Sequence, residues 1–292
     1  MRELHGAGVA LVTPFHNDGS IDFESLAKLI EHQIAGGMDY LVSLGTTGEV
    51  ATLSKEEKYA VWEFTAKQVA GRVALVAGIG GNNTAEVAAA VASFDLSGYC
   101  AILSVSPYYS KPTQEGIYQH YKAIAEASKL PIILYNVPSR TGSSISPATT
   151  IRLANDFANI VATKEASGSF AQFSEIMRDK PADFLLISGD DPITLPMMAL
   201  GAVGLISVVA NAYPKQIADV VHACAAGDYA GARATHSSLL EITDLCFVDA
   251  NPCGVKYILQ EMNIGIDHVR LPLVPARAVT KEAIKRSMSA LA

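Results

Sequence analysis

Eight short apolar runs, spaced along the first 210 residues with helical patterns between them, constrain this chain more than any other feature. They are GVALVTPF (8–15), YLVSLG (40–45), VALVAGIG (73–80), YCAILSVSP (99–107), PIILYNVP (131–138), IVATKEA (160–166), FLLISGD (184–190) and GLISVVA (204–210). Near-continuous apolar strands belong in a parallel sheet buried on both faces. The stretches between them, such as DFESLAKLIEHQIAGG and SKEEKYAVWEFTAKQVAG, are amphipathic at helical spacing. Their starts carry cap signals: Asp22, Ser54 with Glu57 three residues on, and Thr113. Strand then helix, eight times over, predicts a (β/α)₈ barrel of the TIM type, with a doubly wound open sheet as the alternative. A barrel of this kind needs about 250 residues, and the chain has 292.

After about residue 211 the strands stop. PKQIADVVHACAAG reads as the eighth barrel helix. DYAGARATHSSLLEITDLCF, NPCGVKYILQEMN and TKEAIKRSMSALA read as a C-terminal α-helical domain. Gly227-Asp228 is the expected boundary, giving a catalytic barrel over 1–226 and helices over 227–292. The net charge is −7 and no basic tract appears, which argues against nucleic acid. No apolar segment reaches the roughly 18 residues of a membrane span, and the opening MRELHGAGVALVTPF is too interrupted for a signal peptide. The four cysteines form no CxxC pair and the seven histidines no HExxH, so reduced thiols, a cytoplasmic location and no metal are expected.

Active sites of such barrels lie where strands end and loops begin. The unusual residues fall there: GTTGE (45–49), SPYYSKP (106–112), YNVPSRTG (135–142), TKEASG (163–168) and SGDDP (188–192). By strand alternation Ile160, Ala162, Lys164 and Ala166 share one face. If that face looks inward, desolvation lowers the pKa of Lys164 and leaves an amine able to attack a ketone as a Schiff-base nucleophile. A lysine leaving the strand for solvent beside Glu165 is the plain alternative. Tyr135 shares a face with Ile133 and Val137, and inward it is a phenol placed to move protons beside that amine. GTTGE offers hydroxyls and backbone N–H groups to a small anion, though its spacing is not that of a P-loop. Arg140 in the loop after the fifth strand can hold a carboxylate through two parallel hydrogen bonds. In SGDDP, Asp191 before Pro192 reads better as a helix N-cap than as a metal ligand.

GTTGE, PYYSKPTQEG, YNVPSRTG, KEASG and SGDD, in this order and spacing, resemble the dihydrodipicolinate synthase family, and the likeness runs from about residue 6 to the C-terminus. The resemblance implies a (β/α)₈ barrel with a C-terminal helical domain, a homotetramer built as a dimer of dimers, and no cofactor. It implies condensation of pyruvate with L-aspartate 4-semialdehyde on the route to diaminopimelate and lysine. It implies Lys164 as the Schiff-base lysine, Tyr135 as the proton-transfer tyrosine, Thr46 as a relay hydroxyl, and Tyr109 as a relay member entering from a neighbouring subunit. Thr47 would bind the pyruvate carboxylate, Ile206 would line the pyruvate site, and Arg140 would receive the semialdehyde's carboxylate.

Other pyruvate-dependent aldolases, of the N-acetylneuraminate lyase or 2-keto-3-deoxygluconate aldolase type, share the lysine and tyrosine. Arg140 within PSRTG favours a short substrate with a carboxylate over a sugar. Two departures from the family pattern stand out. Cys253 and Gly254 replace an aliphatic residue and proline, an expected effect on packing. In lysine-sensitive relatives an interface crevice matches Ala51, Asn82, Glu86 and Tyr108. Here Val50, Lys55 and Lys58 stand where those relatives often carry Ser, His and His.

Overall fold

The computed structural model describes residues 1–291. Eight parallel strands close into a barrel in chain order: β1 (Gly6–Ala10), β2 (Tyr40–Ser43), β3 (Ala74–Gly78), β4 (Ala101–Val105), β5 (Ile132–Asn136), β6 (Ile160–Glu165), β7 (Leu185–Ser188) and β8 (Gly204–Ser207). Each lies within or overlaps one of the eight apolar runs. The strands are shorter than the runs because the C-terminal part of each run turns out into a loop at the barrel mouth. Around them lie α1 (Phe23–Ala35), α2 (Lys55–Val69), α3 (Thr84–Ser93), α4 (Gln114–Ala127), a short α5 (Pro138–Thr141), α6 (Pro147–Asp156), α7 (Phe170–Asp179), α8 (Thr194–Ala199) and α9 (Pro214–Ala225).

The cap signals act as read. Asp22 accepts from the backbone of Ser25, Ser54 and Glu57 form a reciprocal capping box, and Thr113 accepts from Gly116. Each strand buries both faces, which is why the runs are apolar throughout. Val42, Leu103, Ile133 and Ile187 fill the barrel interior. Leu41, Ile102, Leu134 and Leu186 pack against the helices. The floor is plugged by Tyr40, whose hydroxyl donates to the Leu205 carbonyl at 3.3 Å. Its ring lies where a Cβ on Gly8 would be, 2.3 Å from the nearest ring carbon, so β1 needs glycine there.

Three local expectations fail for identifiable reasons. Ile160 belongs to the outer core, not to the face of Lys164. The β5–β6 register shifts between Ile132 and Ile133, so Ile132 pairs with Ile160 but Ile133 with Ala162, and the inner face resumes only at Ala162. Asp191 is not an N-cap. It sits inside a 3₁₀ turn, and its buried carboxylate accepts from the Ser207 hydroxyl and from the Val208 N–H at 3.0 Å. The stretch 228–247 is two helices, α10 (Tyr229–Ser238) and α11 (Leu240–Leu245), broken at Leu239. They are followed by α12 (Cys253–Glu261) and α13 (Ala278–Leu291). α10 packs on α8 and α9, while α11 and α12 pack on α13. All four cysteines are free thiols. Among the described residues no helix is long and apolar enough to cross a membrane, and no group of three or more His, Cys, Asp or Glu could hold a metal ion.

Candidate active site

Lys164 and Tyr135 are register partners on adjacent strands, both facing the barrel interior. The Lys164 ammonium nitrogen lies 4.4 Å from the centroid of the Tyr135 ring. Both side chains are buried. Burial pulls the lysine down to about 8. The Asp191 carboxylate opposes that shift, and the Arg140 charge adds to it. Burial likewise raises the Tyr135 phenol, with the Arg140 charge and the Thr46 hydroxyl acting the other way. Among the described residues Nζ of Lys164 has no hydrogen-bond or ion-pair partner within the protein, so its lone pair, once free, is not committed. Glu165 does not pair with it, because Glu165 faces the helices.

GTTGE and the three residues after it form two short 3₁₀ turns, Thr46–Gly48 and Val50–Thr52, joined at Glu49 in the left-handed region (φ 53°). The segment does not open directly into a helix, since α2 begins only at Lys55. Thr46 is half-buried at the mouth and Thr47 fully buried. The Thr47 hydroxyl oxygen accepts from Asn251 Nδ2 at 3.0 Å. The Glu49 carboxylate is buried against Lys256 of α12 at 2.5 Å and accepts from the Arg270 N–H at 3.0 Å. The turn is thus held by α12 and by the segments on either side of it, through Asn251, Lys256 and Arg270. Ile206 is wholly buried on the inner face of β8.

Arg140 lies on α5 and is exposed. It lines a cleft of about 610 Å³ together with Thr46, Val137 and Asn251. The same cleft continues past Val50 and Ala51 to Lys55, Lys58, Asn82, Glu86 and Tyr108. The expected substrate mouth and the expected lysine crevice are therefore two ends of one cavity in this chain. Tyr109 stands apart. It is 88% exposed and in the left-handed region (φ 73°), on a loop tied down by Asn82 Nδ2 donating to the Tyr108 carbonyl at 3.3 Å. A bulky residue in that conformation is strained, and such strain gathers at functional positions.

Sequence reasoning missed several contributors. Gly189 leaves room for the lysine, since a Cβ there would come within 2.9 Å of Lys164 Cε. Asp191 supplies the nearby negative charge. Asn251, Glu49 and Lys256 support the threonine turn. The signal for Lys256 was present: like Lys164, it is a lone cation in an apolar run, CGVKYIL.

The model of the dihydrodipicolinate synthetase family matches residues 3–291. The chain belongs to that family. It is 51% identical over 288 residues to the 4-hydroxy-tetrahydrodipicolinate synthase of Parabacteroides distasonis, covering 99% of this chain and 97% of that one. The solved dihydrodipicolinate synthase of Aquifex aeolicus is 40% identical with a TM-score of 0.96, covering 99% and 98% of the two chains. The one from Cyanidioschyzon merolae, solved with lysine bound, is 37% identical with a TM-score of 0.95, again covering 99% and 98%. The family member described here has a closed eight-stranded barrel, as they lead one to expect.

Proposed function

We propose that this chain is a 4-hydroxy-tetrahydrodipicolinate synthase, condensing pyruvate with L-aspartate 4-semialdehyde. The observation that carries the reading is the buried Lys164 amine, held near 8, against the Tyr135 ring. At pH 7 about a tenth of such an amine is neutral, against about 3 in 10,000 at its ordinary value of 10.5. The neutral amine adds to the pyruvate ketone and loses water, giving an imine. The protonated imine draws electrons from the adjacent methyl, which loses a proton, and the resulting enamine carbon adds to the aldehyde.

In this reading Tyr135 moves the protons, with Thr46 linking it to the cleft. Thr47 binds the pyruvate carboxylate. Its oxygen accepts from Asn251, which leaves its own O–H free to donate to an anion. Ile206 forms the apolar wall. Arg140, at the open end, receives the second substrate's carboxylate. Tyr109 completes the relay of an adjacent protomer, which accounts for its exposure and strained backbone. The assembly is a homotetramer in the cytoplasm, with catalytic barrel 1–226 and C-terminal helical domain 227–292, and the cleft beyond Ala51 corresponds to the lysine crevice of sensitive relatives but binds lysine weakly or not at all.

The test is borohydride reduction in the presence of pyruvate, followed by peptide mass spectrometry. A reduced pyruvyl adduct on the Lys164 peptide is expected, together with turnover of aspartate semialdehyde. Labelling of another lysine, or cleavage of N-acetylneuraminate with the semialdehyde ignored, replaces the reading with another pyruvate-dependent aldolase.

A further inference from the structure

Behind the wall that carries Lys164 and Tyr135 lies a second polar layer, between the barrel and its helices. Glu165 follows Lys164 on β6 and is wholly buried. Its Oε1 accepts from Asn136 Nδ2 at 2.6 Å, and its Oε2 accepts from Gln172 Nε2 at 2.7 Å and from the Ser167 hydroxyl at 3.4 Å. Asn136 follows Tyr135 on β5. Asn136 and Glu165 are register partners, one step beyond Tyr135 and Lys164. The two pairs lie back to back on the same two strands.

The orientation of each amide is fixed by its other bonds. Asn136 Oδ1 accepts from the Ile145 N–H at 2.9 Å, so Nδ2 must face Glu165. Gln172 Nε2 also donates to the Ile145 carbonyl at 3.2 Å, which fixes that end as the donor. Glu165 therefore meets only donors from both neighbours, and only a group with two acceptor oxygens satisfies both. Burying a carboxylate is costly, and burial does push Glu165 up to about 7. An aliphatic side chain would fill this layer without that cost. The lower part of the same strand pair is irregular, with the register shift between Ile132 and Ile133. Above the shift only Ile133 to Asn136 pair in step with Ala162 to Glu165, and a one-residue slip over so short a span would turn every side chain to the other face, so a side-chain clamp at its end reinforces the backbone register.

We propose that Glu165 is a positioning residue for imine formation: clamped to Asn136 and Gln172, it holds β5 and β6 in the register that keeps the Lys164 amine against Tyr135. The proposal rests on the role given to Lys164 above. Misplacing a reacting group by about 1 Å costs on the order of a hundredfold in rate.

Glu165→Gln puts an amide N–H₂ against one of the two donors. It is expected to slow borohydride trapping of pyruvate and lower kcat by about ten- to a hundredfold, with pyruvate KM little changed. Glu165→Gln/Gln172→Glu restores the donor–acceptor match between the two side chains but sets a carboxylate oxygen against the Ile145 carbonyl, so it is expected to recover part, not all, of both rates. Gln172→Met, at a half-buried position in the first turn of α7, removes one donor and provides the graded variant should Glu165→Gln not fold. It is expected to slow trapping several-fold without a matching loss of melting temperature. Wild-type rates in Glu165→Gln or Gln172→Met overturn the proposal. So does a loss that the exchanged pair fails to restore and that follows melting temperature alone. If the wild-type protein itself fails to label at Lys164, the underlying function falls instead.

Discussion

Lys164 and Lys256 are both buried lysines, and burial brings both from an ordinary 10.5 down to about 8. They differ in what surrounds the nitrogen. Lys256 donates to the Glu49 carboxylate at 2.5 Å and to the His268 carbonyl at 2.9 Å, and lies 4.2 Å from the centroid of the Phe15 ring. Lys164 has an aromatic face and a carboxylate at a distance, with no direct partner among the described residues. A lowered pKa alone does not mark a nucleophile. It marks a desolvated amine, and the partners decide between a reactive lone pair and a structural cation. The two are joined through the threonine turn, because the ion pair of Lys256 holds the loop whose Thr46 hydroxyl reaches Tyr135, the register partner of Lys164.

The widest separation between them is expected in chemistry. Lys164→Ala should abolish pyruvate trapping and lower turnover roughly a thousandfold or more, while wild-type trapping marks Lys164 and leaves Lys256 unmodified. The trapping rate should climb with pH and level off above about 8, as the Lys164 amine becomes neutral. Stability should move the same way. Between about 8 and 10.5 the unfolded chain binds more protons at both lysines than the folded one, so stability rises with pH across that window. A trapping rate that stays flat from pH 6 to 9 would remove the distinction drawn for Lys164.

Lys256 should show its effect in stability. Lys256→Met leaves the Glu49 carboxylate buried without its cation, at a cost of about 3–5 kcal/mol by denaturant titration. Glu49→Gln/Lys256→Met removes both charges and should regain most of it. In the folded fraction Lys164 should still label, with a raised pyruvate KM because the Thr47 turn has loosened. Unchanged stability and unchanged KM in Lys256→Met would show that the ion pair holds nothing.

Much of this was legible in the sequence, and what was missed has a common cause. Eight apolar runs and their capping residues foretold the barrel, because both depend on local pattern. Lys164 and Tyr135 were placed on the inner face of the barrel because strand alternation is a local rule too. Ile160 was misplaced because a register shift belongs to the pairing of two strands, which neither strand displays alone. Asp191 was read as a cap because Asp-Pro is a strong local signal, whereas its partners Ser207 and Val208 lie at and just beyond the end of the next strand. Asn251 and Lys256 reach back more than 200 residues to the GTTGE turn, a contact no spacing in the chain announces.

Arg140 offers a smaller test of the same contrast. It is exposed at the open end of the cleft, and its charge adds to the lowering of Lys164 but not to that of Lys256. Arg140→Ala should lower kcat/KM for the semialdehyde by about ten- to a hundredfold, the worth of a charge-assisted hydrogen bond. The rising limb of the trapping profile should shift to higher pH, since a neighbouring positive charge has gone. Equal losses for pyruvate trapping and for semialdehyde use would place Arg140 at the pyruvate end instead.

The least dramatic effect is expected where lysines line a wall rather than a core. Lys55 and Lys58 border the far end of the cleft, alongside Asn82, Glu86 and Tyr108. Glu86 and the carbonyls there suit an amino acid, and Val50 at the same wall offers no hydroxyl. A bound lysine brings its own side-chain ammonium close to Lys55 and Lys58. Two like charges 4 Å apart cost about 4 kcal/mol at an effective dielectric of 20, and water in an open cleft screens much of that. What remains still weakens binding by about tenfold or more, which predicts weak feedback in a steady-state assay with L-lysine through the millimolar range. Lys55→His/Lys58→His should strengthen inhibition without altering the pH profile of Lys164 trapping. Potent inhibition of the wild type below one millimolar would show that Glu86, with Asn82 and Tyr108, outweighs both cations, and that exposure has made their charge nearly irrelevant.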